Sequence, residues 1–148
     1  MSLLPLFEWL GRSLLGAFMQ RSSYAFAAAE MLHLLGLAGL GGGVLMINLR
    51  VLGLGLTVEP AARLAKELLP YLAGCLATMA ATGLMLVAAE PEKCYYNAAF
   101  RVKMALLVCA VVFSALAQRR WLERKAVAVI SLLLWVGVGL AGRAIGVI

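Results

Sequence analysis

Residues 24–49 read YAFAAAEMLHLLGLAGLGGGVLMINL and are closed by Arg50. Apart from Glu30 and His33, nothing in this run is charged near neutral pH. A helix needs ~20 mainly apolar residues to cross the hydrocarbon core of a bilayer, and this run is long enough. The rest of the chain repeats the pattern. Residues 69–89, about 100–118 and 126–147 are apolar blocks of the same kind, with charge at their ends: Glu90, Glu92 and Lys93 after the second, Arg119 and Arg120 after the third. The expected fold is therefore all-α, a membrane-embedded four-helix bundle forming a single integral membrane domain over 1–148.

Composition agrees. Of 148 residues, 64% are hydrophobic, against about 45–50% in soluble domains, and no stretch is long or polar enough for a second, soluble domain. The net charge of +6 comes from 13 lysines and arginines against 7 acidic residues. These cations sit at the ends of apolar blocks and form no face of their own, which excludes nucleic acid as a partner and points to lipid headgroups. Cys75 and Cys109 lie inside apolar blocks, Cys94 falls in a loop, and the chain has no CxxC pair, so neither a zinc site nor a redox dithiol is implied.

Upstream of the first span, residues 3–19 (LLPLFEWLGRSLLGAFM) are apolar but interrupted by Glu8, Arg12 and Ser13. The stretch is too short to span and lacks the basic start of a secretory signal. With Phe7, Trp9 and Phe18 it reads as an amphipathic helix lying in the membrane interface. Downstream, 53–67 reads as a connector, with Pro70 in the first turn of the second span, where proline costs little. Residues 94–99 read as a short loop, and RRWLERK (119–125) as a basic one.

Four spans put the connectors at 50–68 and 118–125 on one side, with Arg50, Arg63, Lys66, Arg119, Arg120, Arg124 and Lys125. Arg12, Arg21, Lys93, Arg101, Lys103 and Arg143 lie on the other. The dense 119–125 cluster decides the orientation, because short basic loops are held on the cytoplasmic side. Both termini are expected to face away from the cytoplasm, toward the periplasm of a bacterial inner membrane.

Ionisable groups inside a span cost free energy and by default mark a site. Glu30 and His33 are three apart, on neighbouring parts of one helix face, and sit roughly 9 and 13 Å inside if the span starts near Tyr24. Arg101 and Lys103 open the third span from the same side, and Arg143 approaches it near the end of the fourth. Thr82 and Met85 close the second span there, with Met79 deeper. The opposite half carries only a rim of basic residues. Neutral imidazole is a ligand for haem iron or copper and a proton carrier. Glu30 is the candidate partner for its second ring nitrogen. Arg101, Lys103 and Arg143 suit the two propionates of haem b, and Gly36 and Gly39 would give a macrocycle room. Met79 is the best-placed thioether for haem iron or Cu(I). The plain alternatives stand beside these: a packing histidine, cations snorkelling to headgroups, glycines for helix approach and methionine as filler.

The runs EMLHLLGLAGLGGG (30–43), NLRVLGLG (48–55) and NAAFRVKMALL (97–107) resemble a family of bacterial four-helix inner-membrane proteins with no settled activity. The resemblance covers about 24–147 and implies fold more than function. More loosely, the chain is similar to membrane b-type cytochromes and to the copper-resistance CopD proteins. His33 is the only histidine, which leaves at most one haem per protomer: five-coordinate, His/Met, or shared between protomers. The expectation is a membrane haem-b protein, an oxidoreductase candidate with an electron-transfer or small-molecule redox role near the outer face. The rivals are copper handling through His33, Met79 and Met85, and a non-enzymatic accessory subunit. The glycine-rich first and fourth spans point to a homo-oligomer, and a quinone or a periplasmic redox protein is the expected partner. No hydrolytic triad or phosphate loop is present, which excludes ordinary hydrolases and kinases.

Overall fold

In the computed structural model, which describes residues 3–54, 60–120 and 124–145, the chain is all-helical. The described elements are α1 (Leu4–Arg12), α2 (Leu14–Arg21), α3 (Ser23–Leu52), α4 (Ala61–Ala89), α5 (Pro91–Tyr96), α6 (Ala98–Arg120) and α7 (Lys125–Ala144). Four of them, α3, α4, α6 and α7, are long and apolar enough to cross a membrane. Gly146 and the end of the predicted fourth span, Glu59 with the middle of the first connector, and 121–123 of the basic loop lie outside the described residues.

Helices α3 and α4 form one antiparallel pair and α6 and α7 the other, with α7 packed on α3 to join them. Among the described residues α4 and α6 share no extended packed face. The main core lies between α3 and α4, where Leu40, Val44 and Ile47 meet Ala65, Leu72 and Met79. Close approach there depends on glycine. A Cβ at Gly36 would stand 2.9 Å from Met79 Cγ and 3.3 Å from the Cys75 carbonyl oxygen, and one at Gly43 would stand 2.6 Å from Leu72 Cδ2. Gly53 ends α3 at φ +80°, a left-handed conformation that glycine adopts without penalty.

Several predicted boundaries are corrected. The interfacial segment 3–19 is two helices. Ser13 breaks it, accepting from Gly16 N–H at 3.1 Å while donating to Leu10 O at 2.6 Å. Both helices lie across the end of the bundle. Phe7 meets Tyr95 and Phe100 edge-on at 5.6 and 6.2 Å, and Gln20 Nε2 donates to Gly11 O and Ala88 O. Leu6, Trp9, Leu14 and Phe18 stay exposed, an apolar edge suited to the interface. Residues 61–67 are helix, not connector, because backbone hydrogen bonding is indifferent to polarity outside the hydrocarbon. The Arg63–Glu67 pair at 2.9 Å supports that first turn. Pro70 is therefore inside α4 rather than in its first turn. The predicted loop 94–99 is the end of α5 and the start of α6, with Cys94 buried and Asn97 marking the break between them. Helix α3, at 30 residues, is about 45 Å long. That exceeds the ~30 Å hydrocarbon core, so its ends reach into the interfaces.

Candidate functional site

His33 sits on the α3 face turned toward α4, three residues before Gly36, so the face that glycine opens for packing also carries the imidazole inward. Its Nδ1 lies 3.0 Å from Thr82 Oγ1 on α4. The Thr82 hydroxyl donates to the Thr78 carbonyl at 2.7 Å. Its proton is thereby committed, and its oxygen accepts from Nδ1–H. This fixes the tautomer: Nε2 keeps its lone pair and accepts from Lys103 Nζ of α6 at 3.4 Å. The ring's Cε1 edge lies over Gly83, where a Cβ would be 3.3 Å away. Lys103 crosses Gly142 of α7, where a Cβ would be 3.4 Å from Nζ. One imidazole thus ties α3 to α4 and to α6, and its lysine partner lies on α7.

The remaining predicted site residues fall around this centre unevenly. Glu30 is exposed, and among the described residues no hydrogen bond or ion pair joins it to His33. Thr82 holds the ring nitrogen assigned to Glu30. Arg101 and Arg143 are exposed at the same end of the bundle. Met79 is buried on the α4 side of His33, packed on Gly36, away from the direction in which Nε2 faces. Gly36 and Gly39 do not leave room for a macrocycle. Met79 and the Cys75 backbone fill the first, and Tyr71 Oη and Cys75 Sγ the second, at 2.7 and 2.8 Å from a notional Cβ. These glycines serve helix approach. Among the described residues no three His, Cys, Asp or Glu side chains come together as a metal cluster would require.

The chain matches a family of unknown function, DUF6644, over residues 6–148. It belongs to that family. No curated protein and no solved structure matches the chain, so the looser similarity to membrane b-type cytochromes and CopD proteins gains no support from them. The DUF6644 match runs from within α1 to residue 148. The end-capping helices and the four long ones thus all belong to the family's shared region.

The opposite half of this DUF6644 chain is not bare, as the sequence reading held. Asn48 is buried there, donating to Val44 O at 2.8 Å and to Ser131 Oγ of α7 at 3.2 Å. Trp135 Nε1 donates to Ser114 Oγ of α6 at 3.1 Å. A neutral amide and two hydroxyls in apolar blocks give only a weak signal in sequence. Their facing positions on three helices are what single them out.

Proposed function

We propose that this is a membrane haem-b-binding protein with an electron-transfer or small-molecule redox role, His33 being the axial ligand. The observation that carries the reading is the ring's orientation. A ligating histidine donates its other ring N–H to a fixed acceptor, and Thr82 takes Nδ1–H from His33. The lone pair of Nε2 faces the seam between the two helix pairs, where the group in front is a flexible lysine side chain rather than backbone. Lys103 turning outward would join Arg101 and Arg143, three cations for two propionates. When bound, haem would supply one-electron chemistry. The protein's own residues orient the ligand, pair the propionates and keep water out. His33, Arg101, Lys103 and Arg143 are the residues that would hold the haem.

The bilayer is the bacterial inner membrane in this reading, with both termini on the periplasmic side and the His33 end outermost. Copper held by His33, Met79 and Met85 has less behind it, since Met79 is packed on Gly36. One observation favours an accessory subunit instead: His33, Asn48 and Trp135 each hydrogen-bond across to a neighbouring helix, as expected of polar groups that serve only to join helices.

The test is the visible spectrum of protein purified from haem-replete cells, oxidised and reduced, with a pyridine haemochrome assay. The expected result is a Soret band with about one haem per chain, lost in His33→Ala. Thr82→Val should keep the haem and shift its reduced spectrum. Absence of a Soret band overturns the haem reading. A band unchanged in His33→Ala overturns the ligand assignment. Loss of thermal stability alone in His33→Ala supports the accessory subunit.

A further inference from the structure

Far from His33, at the Asn48 end, the bundle holds a cavity of about 220 Å³ between α4 and α6, floored by α3 and α7. Its wall is largely aliphatic, but Asn48, Ser114, Gln118, Ser131 and the indole of Trp135 also line it. Asn48 commits both amide hydrogens, to Val44 O and Ser131 Oγ, which leaves Oδ1 as an acceptor. Ser131 and Ser114 receive from Asn48 and Trp135. Among the described residues neither hydroxyl has an acceptor for its own proton. A mainly apolar pocket therefore presents two free donors and one free acceptor.

The cavity opens sideways. Leu69 and Ala73 of α4 and Ala115 and Gln118 of α6 line it and are exposed, and these two helices share no extended packed face. In a bilayer that opening faces lipid, so an occupant enters from the membrane. Size narrows the choice further: an apolar cavity of about 150 Å³ takes benzene. This one has room for one substituted ring and none for a sterol or a porphyrin.

We propose that the cavity binds the single-ring headgroup of a lipid-soluble quinone or quinol. Serine hydroxyls donate to the carbonyl oxygens of the oxidised form, and Asn48 Oδ1 accepts from a hydroxyl of the reduced form. Trp135 supplies an aromatic wall for the ring. The tail leaves between α4 and α6 into the bilayer. The site stands on the cavity alone and does not depend on a haem at His33.

The test is uptake of a decyl-tailed benzoquinone by the full chain in phosphatidylcholine nanodiscs, measured against empty discs. Binding should saturate near one site per chain. Ala115→Phe, whose new ring stands at the lipid-exposed rim, should abolish the saturable part. Ser131→Ala should weaken it about two- to tenfold, the effect of one hydrogen bond. Decylbenzene, with the ring and tail but no oxygens, should not compete. Uptake no greater than in empty discs overturns the proposal, as does equal binding by both variants once their melting curves match that of the parent protein. Equal competition by decylbenzene overturns it in favour of a hydrocarbon-filled groove. Efficient cross-linking of Ala115→Cys chains to each other, without quinone uptake, overturns it in favour of a second copy seated in the gap.

Discussion

His33 is held through one nitrogen by α4 and addressed through the other by α6, and neither partner is its sequence neighbour. The lone histidine in an apolar block stood out in the sequence as a residue that would need partners inside the bundle. Its partner was not, because Glu30 at i−3 is close along the helix but turned outward, whereas Thr82 is distant in sequence and directly opposite in space. Glycine roles divide in the same way by what lies across from them. Gly36 faces Met79 and the Cys75 carbonyl, while nothing lies within 4 Å of a Cβ at Gly41. Gly36→Val should therefore destabilise the bundle by about 1–3 kcal/mol through overpacking. Gly41→Ala should be neutral or gain up to about 1 kcal/mol from helix propensity. Thermal melts in one detergent compare the two, and equal melting temperatures would contradict the packing assigned to Gly36. Cys94, in α5 outside the spans, has its thiol pushed above the ordinary cysteine range by burial and then by Glu90, partly offset by Lys93 and Lys103. Only the thiolate reacts, so at pH 7 a raised value leaves less of it. Alkylation of Cys94, followed by mass spectrometry, should be slow at pH 7 and rise only at distinctly alkaline pH. Glu90→Gln should move that rise to lower pH.

At the scale of elements, apolar blocks revealed four helices, yet the polar ends of those helices were read as connectors. Residues 61–67 show why. A hydropathy reading finds where a helix enters hydrocarbon, not where its hydrogen bonding begins, so the start of α4 was placed too late and Pro70 fell in its first turn. Proline inside α4 removes one backbone donor. The freed carbonyl, that of Lys66, lies at the charged end of the helix, where water can satisfy it. The end-cap formed by α1 and α2 was legible as amphipathic but not as two pieces, since Ser13 acts as a cap only once the chain turns there. Gln20 is the polar tie between this cap and the bundle. Its amide bonds the α1 carbonyl of Gly11 and the carbonyl of Ala88 in the last turn of α4. Gln20→Leu removes both bonds, about 1–3 kcal/mol at 0.5–1.5 each. Backbone amides of residues 4–21 should then exchange with deuterium faster while those of α3 and α4 do not change. Unchanged exchange over 4–21 would mean that the aromatic contacts of Phe7 hold the cap alone.

At the scale of the whole molecule, an even number of spans puts both termini on one side, but the side is set by a narrow margin. Arg50, Arg63, Lys66, Arg119, Arg120, Arg124 and Lys125 stand against Arg12, Arg21, Lys93, Arg101, Lys103 and Arg143. The structure sharpens the comparison. Lys103 is partly buried against His33 and is not a loop charge, which weakens the His33 end as a cytoplasmic determinant. Arg119 and Arg120 end α6 and Arg124 and Lys125 stand at the start of α7, and so short a basic connection in sequence resists translocation most. A C-terminal alkaline phosphatase fusion should accordingly be active in an Escherichia-type host and a C-terminal fluorescent-protein fusion dark. Replacing Arg119, Arg120, Arg124 and Lys125 by glutamine should erode that preference and raise the fluorescent fraction severalfold, because it leaves the His33 end with the larger share of cations. A fluorescent parent fusion with an inactive phosphatase would place the His33–Lys103 centre near the cytoplasmic face.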